Sequence, residues 1–147
     1  MKLKQITVSL ENRHGRLYEV TRAMGNAGIN IRALNLVDTG AFGQLRLLAS
    51  DVSKLRRILM EKQMPARVDE VVAAEIPDKP GSLADLLVHL YDTDVSVEYS
   101  YAFVGLSEGN AVMIFRFNDN DKAIGILQEK GVRLLDAKAF GIDDPGT

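Results

Sequence analysis

The chain has 147 residues, a formal net charge of −2, and 46% hydrophobic against 26% charged residues, the balance of a globular protein rather than a disordered one. It contains no cysteine, which excludes disulfides, thiolate metal sites and a cysteine nucleophile. A pI of about 5.7 argues against a dedicated nucleic-acid binder, whose binding face is normally basic.

The elements follow in chain order. Lys4–Leu10 alternates, placing Ile6, Val8 and Leu10 on one face, and predicts a strand. Leu17, Val20, Met24 and Ala27 recur at helical spacing, and Gly28 stops that helix. Ile29–Val37 and Gln44–Ala49 read as two further strands around a turn at Asp38–Gly43. Asp51 is placed to cap a helix carrying Val52, Leu55, Ile58 and Leu59, and Pro65 precedes a fourth strand.

The order then recurs. Val71–Ile76 predicts a strand, and Leu83, Leu86, Leu87, Leu90 and Tyr91 predict the stripe of a helix. Val95, Val97, Tyr99, Tyr101 and Phe103 alternate with small or polar residues, and this aromatic row is expected either to pack on the helices or to form an apolar wall for a ligand or the interdomain interface. Ala111–Phe117 is a strand, a helix starts near Asp119, and Arg133–Ala139 holds the last strand. Asp143–Thr147 reads as a frayed terminus. The run Val68–Ile76 is β-prone, ends one series and begins the next without a Gly/Ser linker, so the two copies are expected to pack tightly.

Compared with itself, the chain is a repeat. Glu11-Asn12-Arg13-His14-Gly15-Arg16-Leu17 matches Pro77-Asp78-Lys79-Pro80-Gly81-Ser82-Leu83, 66 residues on (15 to 81). Asp51, Lys54, Ile58 and Leu59 match Asp119, Lys122, Ile126 and Leu127, 68 residues on (51 to 119). The change in spacing implies a two-residue insertion, most simply in Gly105–Gly109. The fold class is therefore α+β: two tandem ferredoxin-like βαββαβ domains, residues 1–70 and 71–147, with antiparallel sheets and helices on one face. The other face of the first sheet carries Gln5, Thr7 and Ser9 and is expected to be partly solvated.

In each copy an Asx residue after the first strand can close a turn, and a glycine opens the helix where backbone N–H groups are unpaired. Such a helix start can hold a carboxylate, although Asx and Gly also serve as ordinary caps. Asn12 and Asn30 each donate and accept, which suits a zwitterion, whereas Asp78 accepts from an ammonium but repels a carboxylate.

The segment Glu11–Leu17 followed by Ala27-Gly28-Ile29-Asn30-Ile31 resembles the ACT domain, a small-molecule-binding regulatory module of amino-acid metabolism. Pro77–Leu83 followed by Val95-Ser96-Val97 resembles a second one, so nearly the whole chain looks like a free-standing tandem ACT protein. The resemblance implies a free amino-acid ligand bound near the first strand–helix loop, at an interface between paired ACT domains. It also implies a homodimer, no cofactor, no catalytic role, and a regulated enzyme or regulator as partner. The ligand-binding residues it implies are Asn12, His14, Gly15, Arg16, Leu17, Asn30 and Ile31 in the first copy, and Asp78, Gly81 and Leu83 in the second. Serine-binding members have a histidine where this chain has Leu10 or Ile76, which argues against serine.

Other readings are weaker. His14 faces Pro80 in the repeat, so a titrating side chain is dispensable there, and His89 reads as a surface residue beside an apolar stripe. No metal-ligand spacing, P-loop, GxGxxG or Ser/His/Asp arrangement is present, which disfavours a small enzyme. An RNA-binding ferredoxin-like module would need aromatics on the third strand, and Gln44–Ala49 has none. No apolar run approaches the roughly 20 residues that span a bilayer. With no apolar leader after Met1–Gln5, the expected location is the cytoplasm.

Overall fold

The structure is a computed structural model and describes residues 1–104 and 107–146. The chain divides into two units. One comprises Lys4–Asp69 with the residues from Gly141 on; the other comprises Glu70–Phe140 with Met1–Leu3.

The first unit is built from β1 (Leu3–Glu11), α1 (Arg16–Asn26), β2 (Ile31–Asp38), β3 (Phe42–Ala49), α2 (Val52–Glu61) and the start of β4 (Ala66–Pro77). The strand order is β2-β3-β1-β4, and the pairs β1–β3 and β2–β3 are antiparallel. β2 is thus an edge strand. Ile6, Val8 and Leu10 are buried, as are Val20 and Met24 of α1 and Val52, Leu55 and Leu59 of α2. Each such side chain removed from water contributes about 1.5–3 kcal/mol. The junction run forms one continuous strand, β4, as its β-prone composition predicts.

The second unit repeats the order with β4, α3 (Ser82–Leu87), β5 (Val97–Val104), β6 (Asn110–Phe117), α4 (Asn120–Glu129) and β7 (Arg133–Leu135). Its strands are ordered β5-β6-β4-β7. The helix-side core joins Val72, Ala74 and Ile76 of β4 to Met113, Phe115 and Phe117 of β6, with Leu86, Ala123 and Leu127 from the helices.

Both second helices start as predicted. The Asp51 carboxylate accepts from the Lys54 N–H at 2.9 Å, and that of Asp119 from the Lys122 N–H at 3.0 Å. Replacing Asp119 with alanine is expected to cost about 1 kcal/mol. Urea denaturation of the variant checks this.

Several expectations are corrected. On the face expected to be partly solvated, Gln5 is 0% and Thr7 2% exposed, and only Ser9 is half-buried. Burial is tolerated because the polar groups bond one another. Gln5 Nε2 donates to Thr7 Oγ1 at 3.1 Å, and Thr7 Oγ1 donates to Asp69 Oδ2 at 2.8 Å. Arg67 Nε pairs with Asp69 Oδ1 at 3.3 Å.

The aromatic row faces away from the helices. Tyr101 pairs with Ile114 and Phe103 with Val112, whereas the helix-side core uses Met113 and Phe115. A bulge between Val97 and Tyr99 shifts the register, and a one-residue shift moves every later side chain to the other face. The same bulge lies between Ile31 and Ala33 of the first unit.

The helix stripe ends early. After Leu87 the chain tightens into a 3-10 turn, Val88–Leu90, and Tyr91 is 84% exposed. β7 stops at Leu135 because Asp136 closes a turn, its Oδ1 accepting from the Ala139 N–H at 2.8 Å. In the loop expected to carry the insertion, Gly105 and Leu106 lie outside the described residues.

Asp143–Gly146, expected to fray, are held by the first unit. The N–H groups of Asp143 and Asp144 donate to Ser50 O at 2.8 and 3.0 Å, and the Val52 N–H donates to Asp144 O at 2.9 Å. Arg32 Nε donates to Gly141 O, and Lys4 Nζ to Gly146 O, each at 2.8 Å. Ile142 is buried. Deleting residues 141–147 is expected to destabilise the first unit by about 1–2 kcal/mol, since each bond nets about 0.5–1.5 kcal/mol and ordering the segment costs part of the gain. A lower midpoint in urea checks this.

Candidate functional site

The loop from β1 to α1 is shaped by a left-handed glycine. Gly15 has φ 89° and sits at the N-cap, where no side chain caps the helix. Gly81 holds the same place before α3 with φ 87°. A side chain at either position would be strained by its φ alone. Among the described residues, the backbone N–H groups of His14, Gly15, Leu17 and Tyr18 have no hydrogen-bond partner.

Asn12 ties this loop to the β2–β3 hairpin. Its N–H donates to Ala41 O at 2.8 Å, and its side-chain amide donates to Gly40 O at 3.1 Å. The Asp78 N–H donates in the same way to Gly109 O at 2.9 Å. Each unit therefore brings its loop against its own hairpin, with an open cleft between them.

In the first unit the cavity has a volume of about 230 Å³ and is lined by Leu10, Glu11, Asn12, Arg13, Arg16, Leu17, Leu36, Val37, Asp38 and Gly43. In the second it has about 410 Å³ and is lined by Ile76, Pro77, Asp78, Lys79, Ser82, Leu83, Ala102, Phe103, Ala111 and Met113. Most of these positions correspond through the repeat: Leu10 with Ile76, Asn12 with Asp78, Arg16 with Ser82, Leu17 with Leu83, Leu36 with Ala102, Val37 with Phe103. The same cavity has been kept twice with different walls.

Arg16 stands out in the first cavity. Its Nη1 pairs with Glu19 Oε2 at 2.8 Å, while its Nε is enclosed and has no hydrogen-bond partner among the described residues. An enclosed donor left unmatched costs about 1–3 kcal/mol, and more when it is charged. An anionic oxygen entering the cavity would remove that cost.

Of the residues singled out in the sequence, Asn12, Arg16 and Leu17 meet in the first cavity, and Asp78 and Leu83 in the second. Gly15 and Gly81 shape the turns. His14 is exposed and does not line the cavity. Asn30 and Ile31 stand at the start of β2, the opposite end of that strand from Asp38. Asn30 is held there by its N–H donating to Ser50 Oγ at 2.8 Å. Sequence reasoning missed the hairpin wall, Leu36, Val37, Asp38 and Gly43, and its counterparts Ala102 and Ala111. Carrying the repeat through the second and third strands would have marked them.

Among the described residues no group of three or more His, Cys, Asp or Glu could hold a metal ion, and no helix is long and apolar enough to cross a membrane.

Two βαββαβ units, each with a groove at its first strand–helix loop, make up a tandem ferredoxin-like fold. The chain belongs to the ACT domain pair family, whose model matches residues 1–141. It is similar to the crystal structure of protein BT0572 from Bacteroides thetaiotaomicron, with 35% identity over 96% of each chain and a TM-score of 0.90. The fold is also that of the regulatory subunit of aspartate kinase from Thermus thermophilus, at 13% identity and a TM-score of 0.62, covering 87% of this chain and 91% of that one. The Thermus flavus regulatory subunit of aspartate kinase is similar at 16% identity and a TM-score of 0.60, covering 95% and 94%. No curated protein matches the chain.

Proposed function

We propose that this protein is a cytoplasmic, non-catalytic regulatory module that binds a free amino acid in the cavity between the β1–α1 loop and the β2–β3 hairpin. The observation that carries the reading is the enclosed, unmatched Arg16 Nε in a cavity that Asn12 and Leu17 also line. The ligand carboxylate accepts from Arg16 and from the free N–H groups at the start of α1, where the helix dipole favours negative charge. Asn12 has given its amide N–H to the hairpin, so its Oδ1 is left to accept from the ligand ammonium. Asp78 takes that role in the second cavity.

The module acts as a homodimer on a regulated enzyme or regulator. Support comes from the β2 edge, where Leu34 and Leu36 are exposed, Leu36 lining the cavity. An edge strand with unpaired backbone groups is a natural place for a second copy of the chain to add. No specific observation favours RNA binding or catalysis.

Thermal unfolding in the presence of each amino acid at millimolar concentration tests the proposal. A ligand at 100 times its Kd stabilises the folded state by about 2.7 kcal/mol, so at least one amino acid should raise the midpoint by several degrees. No shift with any of them contradicts it.

A further inference from the structure

We infer that the groove between α2 and the start of β4 docks an acidic amphipathic segment of the protein that this module regulates. The inference rests on the regulatory reading above and adds the surface through which the module reaches its target.

The groove is apolar below and basic at its rim. Ile6, Leu59 and Met64 form a buried floor, with Met60 and Val68 at the sides. Met60 is 75% exposed, an apolar side chain left in water near the end of α2. Arg56 lines the groove one helical turn before Met60, on the same face of α2, and exposed Arg57 follows it. Among the described residues, these two guanidinium groups have no partner, whereas every other arginine has a hydrogen bond, an ion pair or a ring contact. Arg67, which also lines the groove, is engaged by Asp69 and Gln44. Residues 52–68 carry Lys54, Arg56, Arg57, Lys62 and Arg67 against one acidic residue, Glu61, in a chain whose net charge is −2. The fold does not require this surface. Through the repeat, Arg56, Arg57 and Met60 correspond to Ile124, Gly125 and Gln128, and the second unit builds the same helix without them. Charge complementarity therefore selects the occupant. Carboxylates match the fork of a free guanidinium, and flexible methionines adapt to the apolar face of an incoming helix. A nucleic acid fits poorly, because no aromatic side chain lines the groove for a base to stack on.

Backbone amide spectra of the labelled full chain, titrated with a synthetic peptide, test the inference. The peptide is an amphipathic helix of about four turns, with leucines along one face and glutamates on the other. Saturable shifts are expected along Arg56–Met64 and Ala66–Val68. The double variant Arg56→Glu with Arg57→Glu, and separately Met60→Glu, should each weaken binding about tenfold or more. Both should keep the parent's melting midpoint, since all three side chains are exposed. The same peptide with lysine in place of glutamate should leave these residues unshifted. No shift with the acidic peptide, a lysine peptide that binds as well, or variants that bind like the parent overturn the inference. So does an RNA oligonucleotide that shifts these residues more than the peptide does. The titration is made without amino acid. Its failure beside an amino acid that raises the unfolding midpoint overturns this inference alone, and failure of both overturns the regulatory reading with it.

Discussion

Replacing Phe115 with alanine is expected to lower the unfolding free energy by about 3–5 kcal/mol. Phe115 is 1% exposed, lies in the middle of the helix-side core of the second unit, and stacks on Phe117 with centroids 5.1 Å apart. Truncation removes the transfer free energy of a whole ring and leaves a cavity that the paired β4 and β6 backbones cannot close. Urea denaturation followed by far-UV circular dichroism measures the loss as a lower midpoint for the second unit. A loss below about 1 kcal/mol would mean that this core is not packed as described.

Replacing Arg16 with methionine is expected to weaken amino-acid binding by about 10- to 100-fold. A hydrogen bond to a charged partner contributes about 1.5–3 kcal/mol, and each 1.4 kcal/mol is a factor of ten in affinity. Methionine keeps the apolar stem that lines the cavity, so the change isolates the guanidinium. The Arg16–Glu19 pair lost at the same time joins partly exposed side chains on the first turn of α1, which contributes only about 0.3–0.5 kcal/mol. The ligand-free melting temperature should therefore stay close to the parent value while the calorimetric affinity falls. Unchanged affinity would show that the enclosed Nε does not meet the ligand.

The duplicated Asx–Gly loop was readable because it is local. Asn12 with Gly15, and Asp78 with Gly81, mark a turn and a helix start by residue type and spacing alone. The N-caps at Asp51 and Asp119 were readable for the same reason. The aromatic row was not, because a bulge two residues into β5 turns Tyr99, Tyr101 and Phe103 to the other face, and bulges have no reliable signature in a side-chain pattern. Gln5 and Thr7 were misplaced because a polar strand face reads as a wet one. Here Asp69, sixty-two residues from Thr7, completes the bonding that lets them be buried. The hairpin side of the cavity was hidden likewise. Leu36 and Gly43 join Asn12 and Arg16 only through the register of β2 and β3 with β1. The C-terminal segment looked frayed by composition, yet its backbone finds partners at Ser50 and Val52.

The central claim, that a free amino acid binds at the β1–α1 loop, is tested most directly by recording the backbone amide spectrum of the labelled full chain while each amino acid is titrated to millimolar concentration. The account predicts saturable shifts that begin at Asn12–Leu17 and the hairpin residues Leu36–Gly43, for at least one amino acid. Spectra that stay unchanged with every amino acid, or shifts confined to residues outside both cavities, would contradict it.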